Sequence, residues 1–263
     1  MKDQQPPAPA DPGFWTELRR FTPARIGLGR SGVALPTHEV LAFGWAHARA
    51  RDAVHTPLDV SALEADLRAA GFDVCHVHSA APDRATYLRR PDLGRQLGAD
   101  HHAALQGMPA CDIALVVGDG LSSLAVQRHA VPLLSALRER LGDRFSCSPV
   151  VMAQQARVAL GDDIGEQLRA RLAVVLIGER PGLSSPDSLG IYLTHAPRRG
   201  RHDAERNCIS NVRPEGLPIQ AAAHKLAWHI EQALQRGLTG VGLKDESDLA
   251  LAAVAPSVPL PPA

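Results

Sequence analysis

The strongest constraint on the fold is a repeated order: an apolar run, a glycine or polar loop, then a helical stretch. Cys111 to Val117 (CDIALVV) is an apolar run of strand length, followed at once by Gly118-Asp119-Gly120 and a helix opening at Leu121-Ser122-Ser123. Pro149 to Ala153 (PVVMA) is the second run, followed by the polar loop Gln154–Val158 and a helix over Gly161–Leu172. Leu172 to Ile177 is the third, and it breaks at Gly178. Short apolar runs bounded by turn residues read as buried strands. Strands alternating with helices predict a parallel sheet covered by helices on both faces.

Ligands on such sheets bind beyond the carboxyl ends of the strands. Three loops leave those ends: Gly118–Ser123, Gln154–Val158 and Gly178–Asp187. In the first, a Ser-capped helix start offers backbone N–H groups to a phosphate or a carbonyl. The dinucleotide fingerprint needs a third glycine where this chain has Ser123, so a dinucleotide site is weakly supported. In the last loop, Ser185 as N-cap and Pro186 at the first helical position predict a new helix. The whole stretch Leu172–Arg213 is too polar after its strand for a simple connection, and it ends on an amide-rich segment around Asn207-Cys208-Ile209.

The N-terminal part reads as mostly helical. Thr37 is the expected cap of a helix whose buried stripe is Leu41, Trp45 and Ala48, and Ser61 to Glu64 forms a capping box for a second. Phe72 to Ser79 alternates like a strand, with His76 and His78 on one face. No local carboxylate or Cys completes a metal ligand set there, so no metal site is assigned. Asp83 to Arg95 is so dense in Arg and Asp that it predicts an exposed subunit interface or substrate-facing loop. Pro132 predicts a break between two helices. A final helix is expected from about Leu217 to Arg236, before a Pro-rich tail. Residues 1–13 read as a disordered tail, with a targeting extension as the alternative.

Lys+Arg and Asp+Glu both number 28, a balance that argues against a general nucleic-acid or membrane-surface role. No apolar run is long enough to span a bilayer and no secretory signal opens the chain. The four cysteines have no CxxC spacing and read as free thiols of a reducing cytoplasm.

Several blocks together resemble one family. ARIGLGRSG, ARDAVH, YLRRPDLGR, VGDGLSSLAVQRHA, LIGERPGLSSPDSLGIYLTH and DAERNCISNVRPEGL are similar to the small subunit of ethanolamine ammonia-lyase, over about residues 22 to 230. The resemblance implies an α/β fold: a Rossmann-like parallel-sheet domain over 101–263, preceded by a mostly helical region, 14–100, that makes subunit contacts. It implies an adenosylcobalamin-dependent lyase of two subunits. The large, TIM-barrel subunit carries ethanolamine, and the small one closes over the cobalamin. The 5′-deoxyadenosyl radical then abstracts hydrogen, and rearrangement yields acetaldehyde and ammonia.

The family's cobalamin contacts carry over to Val158 in QARVALGDD, Glu179 in IGERPG and Cys208 in RNCISN. Val158 would pack on the corrin rim, Glu179 would accept hydrogen bonds from corrin amides, and Cys208 would pack as a small polarisable group. No catalytic residue is assigned to this chain. The D-x-H-x-x-G pattern of enzymes that replace the cobalamin base by histidine is missing, so base-on cobalamin with no cobalt ligand from this chain is expected. The alternatives are a stand-alone cobamide- or nucleotide-binding module without catalysis and an ordinary dehydrogenase domain. The family also raises encapsulation in a bacterial microcompartment as the cytoplasmic location.

Overall fold

The computed structural model describes residues 12–248. The expected tail of residues 1–13 lies outside them except for Pro12 and Gly13, which open helix α1 (Pro12–Leu18). Two longer helices follow, α2 (Thr37–His55) and α3 (Val60–Ala69). Their starts differ from expectation. Pro36, not Thr37, stands at the cap of α2 and makes no side-chain cap bond. Asp59 caps α3 by accepting the Ala62 N–H at 3.0 Å. With Asp59 as the cap, Ala62 and not Glu64 stands at the third helical position, so no box forms, and Glu64 accepts from Arg68 and meets His76 instead.

The stripe expected to be buried on α2 is in fact open: Leu41 and Trp45 are 68% and 69% exposed. Ala46 and Ala53 face the body instead. Helical spacing identifies residues that share a face, but not whether this chain supplies anything to cover it.

The remaining elements are β1 (Val74–His78), α4 (Arg84–Arg89), α5 (His102–Gln106), β2 (Ile113–Gly118), α6 (Ser123–Leu141), β3 (Val150–Gln154), α7 (Leu160–Gln167), β4 (Leu172–Gly178), β5 (Leu189–His195), β6 (Arg206–Val212) and α8 (Ile219–Arg236). The strands form one six-stranded sheet in the order β1-β3-β2-β4-β5-β6. The first four strands are mutually parallel, β5 is antiparallel to both of its neighbours, and β6 runs in the direction of the first four. The fully parallel sheet expected from the sequence is therefore corrected to a mixed one. The connection 179–188 holds no helix, and without a crossover the chain can only return beside β4 in the opposite direction. The helix expected at Pro186 is a turn instead, pulled across α6 where Ser122 Oγ donates to the Pro186 carbonyl at 2.7 Å and Arg128 pairs with Asp187 at 2.6 Å.

Alternate residues of β2 and β4 point to two cores. Ile113, Leu115, Leu172 and Val174 meet α3, α6 and α8 on one face. Ala114, Val116, Val175 and Ile177 meet Leu105, Leu160 and Ile164 on the other. Helix α6 runs unbroken through Pro132, contrary to the expected break. Pro132 lies on the exposed side, so the lost backbone bond falls where water can replace it, while Leu133, Leu134 and Leu137 hold the helix to the sheet. The charged segment 83–95 is not simply exposed either: Tyr87 on α4 is completely buried.

Candidate functional site

The three loops do gather at the carboxyl ends of β2, β3 and β4, and buried polar contacts tie them together. Gly120 has φ +58°, and Leu121 N–H donates to the Gly178 carbonyl at 3.0 Å. A Cβ on Gly178 would stand 2.0 Å from the Ser122 carbonyl oxygen, so only glycine lets these two backbones meet. The start of α6 is thereby occupied by the chain itself. Ser122 caps Ala125 while donating to Pro186, and Ser123 Oγ donates to the Thr56 carbonyl at 2.6 Å. Ser122 and Ser123 are buried by the chain's own segments, and one of the N–H groups expected to hold an anion, that of Ala125, is taken by Ser122.

Asp119 joins the first loop to the second. Its carboxylate accepts the N–H groups of Gln155 and Ala156, both at 2.9 Å, with the Arg84 guanidinium 3.6 Å away. Burial pushes the Asp119 carboxyl upward, and the two N–H donors and Arg84 oppose the rise. Gln155 holds the left-handed region at φ +52°, which this double anchor over-determines. Tyr87 adds a third tie, its hydroxyl donating to the Ala156 carbonyl at 3.0 Å. Desolvation lifts that phenol to about 12.

A cavity of about 280 Å³ opens beside the second loop, walled by Arg95, Arg157, Val158, Tyr192, Arg206 and Cys208 among others. Two of the three carried-over residues, Val158 and Cys208, thus share one wall. Cys208 on β6 is paired with Tyr192 on β5, which sets both side chains on the same face of the sheet. Glu179 does not line this cavity. It stands next door: a Cβ on Gly190 would lie 3.1 Å from Glu179 Cγ and 3.2 Å from Tyr192 Cε2, so the two side chains flank one bare backbone position. The Glu179 carboxylate accepts the Ser188 hydroxyl and, at 3.3 Å, the Asn211 N–H. Partial desolvation raises the Cys208 thiol; a hydrogen bond with Tyr192 opposes the rise and the Glu179 charge adds to it. The Tyr192 phenol is raised for the same first reason, with Cys208 and Glu179 contributing.

Beneath the cavity, Arg206 and Asp162 form a buried ion pair, each 3% exposed. Thr194 Oγ1 accepts from Arg206 at 3.0 Å and the Arg201 carbonyl does so at 2.8 Å. Sequence reasoning found none of Tyr87, Asp119, Arg157, Tyr192 or Arg206 as site residues. Asp119 and Arg157 lie in two of the strand-end loops marked from the sequence, and Tyr192 is the aromatic in the strand-like run LGIYLTH.

Nearly all of the described chain matches a known family. The profile described as ethanolamine ammonia-lyase light chain (EutC) covers residues 12–244. The chain belongs to that family. It is 56% identical over 249 residues to a protein of Azotobacter vinelandii named ethanolamine ammonia-lyase small subunit, covering 92% of each chain. A protein of the same name from Ralstonia nicotianae is 56% identical over 253 residues, 93% of each chain. One from Pseudomonas aeruginosa is 53% identical over 257 residues, 95% of this chain and 93% of its own. The relatives are thus named as subunits of a carbon–nitrogen lyase, and a small subunit implies a large one. No described helix is long and apolar enough to cross a membrane.

Proposed function

We propose that this chain is the cobalamin-enclosing small subunit of an adenosylcobalamin-dependent ethanolamine ammonia-lyase, which converts ethanolamine to acetaldehyde and ammonia. The observation that carries the reading is the shared cavity wall of Val158 and Cys208 at the carboxyl end of the sheet, with Glu179 beside it. The cavity's walls fit the periphery of such a cofactor. They combine apolar surface, from Val158 and Tyr192, with a buried Arg157 Nε that has no protein partner among the described residues. About 280 Å³ is far less than a corrin ring needs, so this chain holds an edge and a partner must cover the rest. Bound there, the cofactor supplies radical chemistry that no side chain can provide.

The protein's own part is binding, orientation and exclusion of water. Val158 packs against the ring edge. Glu179, held by Ser188 and Asn211, presents its remaining acceptor capacity to corrin amides. Cys208, kept as a thiol by its raised pKa, packs as a neutral group. No residue of this chain is assigned to the chemical step or to cobalt, and the base-on form remains the expectation.

The large, barrel subunit is the proposed cover and the carrier of ethanolamine. Helix α2 supports a docking role for the N-terminal helical region. Val40, Leu41, Phe43 and Trp45 are all exposed, an apolar surface that water does not favour and that a partner would bury. A cytoplasmic location, with or without a microcompartment, belongs to the same proposal.

Ammonia release from ethanolamine tests the reading. It is measured with purified large subunit and adenosylcobalamin, with and without this chain. Activity that requires the chain, together with a shift in the cobalamin visible spectrum on adding it, supports the proposal. Full activity of the large subunit alone overturns it.

A further inference from the structure

Two arginines on the cavity wall keep hydrogen-bonding capacity that the protein does not use. The Arg157 guanidinium lies 4.3 Å above the Tyr87 ring. Its Nη2 makes one long bond, 3.4 Å, to the Tyr87 carbonyl, and its Nε is buried without a partner among the described residues. Arg95 borders both this cavity and a neighbouring one of about 470 Å³, and its side chain makes no hydrogen bond or ion pair among the described residues. Arg206, on the same wall, is different: Asp162, Thr194 and the Arg201 carbonyl use its donors.

Arg157 is also held in place before any ligand arrives. Its N–H donates to the Gly94 carbonyl at 2.8 Å. A Cβ on Gly94 would stand 2.9 Å from Arg157 Cγ and 3.0 Å from Tyr87 Cδ2, so the arginine stem and the ring close over a bare backbone. The Tyr87 ring is fixed in turn by its bond to Ala156 and by the Arg84 guanidinium 4.8 Å from its centre. A planar donor fork stacked on a rigid ring is oriented at little entropic cost. A buried donor left unpaired is costly, and Arg157 Nη1 likewise makes no hydrogen bond among the described residues, so the guanidinium keeps donors for an acceptor.

We propose that Arg157, oriented by Tyr87, and Arg95 donate hydrogen bonds to an oxygen acceptor on the cofactor's periphery. The assignment rests on the cobalamin reading above and adds to it two contacts beyond Val158, Glu179 and Cys208. Cobalamin carries such acceptors on its primary-amide arms and on the phosphodiester of its nucleotide arm. Asp203 is the acidic side chain on the same wall, so the wall presents cationic donors in excess of acceptors.

The test uses the complex with the large subunit and two corrinoids, aquocobalamin and cobinamide, which lacks the nucleotide arm. Dissociation constants are measured by equilibrium dialysis for wild type, Arg157→Gln, Arg95→Gln and Arg157→Lys, with thermal melting of each complex as the folding control. Arg157→Gln is expected to weaken cobalamin binding about tenfold to hundredfold in a complex that still assembles and melts in one transition, with only a small drop in melting temperature from the lost stacking on Tyr87, and Lys to recover only part because it lacks the planar fork. A loss seen equally with cobinamide assigns an amide arm as the acceptor. A loss confined to cobalamin assigns the phosphodiester. Corrinoid binding that is identical in wild type and both Gln variants overturns this assignment and leaves the cobalamin reading standing. A wild-type complex that binds neither corrinoid overturns both.

Discussion

The Asp119 carboxylate accepts the Ala156 backbone N–H at 2.9 Å, across the exits of two neighbouring parallel strands. Its other oxygen takes the Gln155 N–H, and Arg84 lies close by. Asp119→Ala therefore leaves two backbone N–H groups without their acceptor and removes the counter-charge of Arg84, which keeps its bonds to the Val54 and Gly120 carbonyls. The expected loss of stability is about 3–5 kcal/mol, read from urea unfolding. Asp119→Asn should cost less, because an amide oxygen still accepts one N–H. An unchanged urea midpoint for the Ala variant would contradict the role given to this anchor.

Gly178→Ala should be among the most damaging single changes in the chain. The added methyl meets the Ser122 backbone oxygen at 2.0 Å, and neither backbone can retreat because Leu121 is bonded to Gly178. Overpacking of this kind costs on the order of 1–3 kcal/mol or more. Gly44→Ala on α2 is a useful comparison: neither glycine has a positive φ, and nothing lies within 4 Å of the atom added at Gly44. Equal melting temperatures for the two variants would show that the junction is not tight.

Glu179→Ala should weaken corrinoid retention more than it alters the KM for ethanolamine. One lost charge-assisted hydrogen bond costs about 1.5–3 kcal/mol, about tenfold to hundredfold in affinity. The same carboxylate joins Ser188 to Asn211, so a smaller loss of stability should accompany it. Equilibrium dialysis separates the two effects, and wild-type corrinoid affinity would refute the assigned contact.

Stability should depend on His129 near neutral pH. Burial lowers its pKa from the ordinary value of 6.5, and its Nε2 has no protein partner among the described residues. The unfolded chain then binds a proton more readily than the folded one. The stability from neutral His129 is complete above about pH 6.5 and is lost as pH falls through the lower folded pKa. His129→Gln removes the titration, so the gap in melting temperature between wild type and variant should narrow from pH 7.5 to 5.5. A gap that widens on acidification would reverse the sign.

The exposed face of α2 should matter for assembly and not for folding. Leu41→Glu with Trp45→Glu alters side chains that are about two-thirds exposed, so the melting temperature of the isolated chain should hold within about 0.5 kcal/mol equivalents. Co-elution with the large subunit should be lost. Retained co-elution would move the docking surface elsewhere.

Much of the sheet was legible in the sequence because it is written in local patterns. The runs at Cys111, Pro149 and Leu172 became β2, β3 and β4 with boundaries close to those expected. Strand LGIYLTH was missed because Ser185-Pro186 carried a competing helix signal, and a tertiary contact to Ser122 decided between them. Cys208 was found through family resemblance alone. Its partner Tyr192 was not, since their pairing depends on the register of two antiparallel strands.

The sequence by itself determined the strands β2, β3 and β4, the helices that follow the first two, the polar loops at their ends, and the family. Tertiary structure alone decided that the sheet is mixed and that α6 crosses Pro132. It also decided that the start of α6 is buried by the chain's own segments, and that Arg157 lies stacked on Tyr87 with donors to spare. The reason is range. Periodicity and capping are set by residues a few positions apart, whereas a buried helix start or an unpaired guanidinium depends on groups from distant segments meeting within hydrogen-bonding distance.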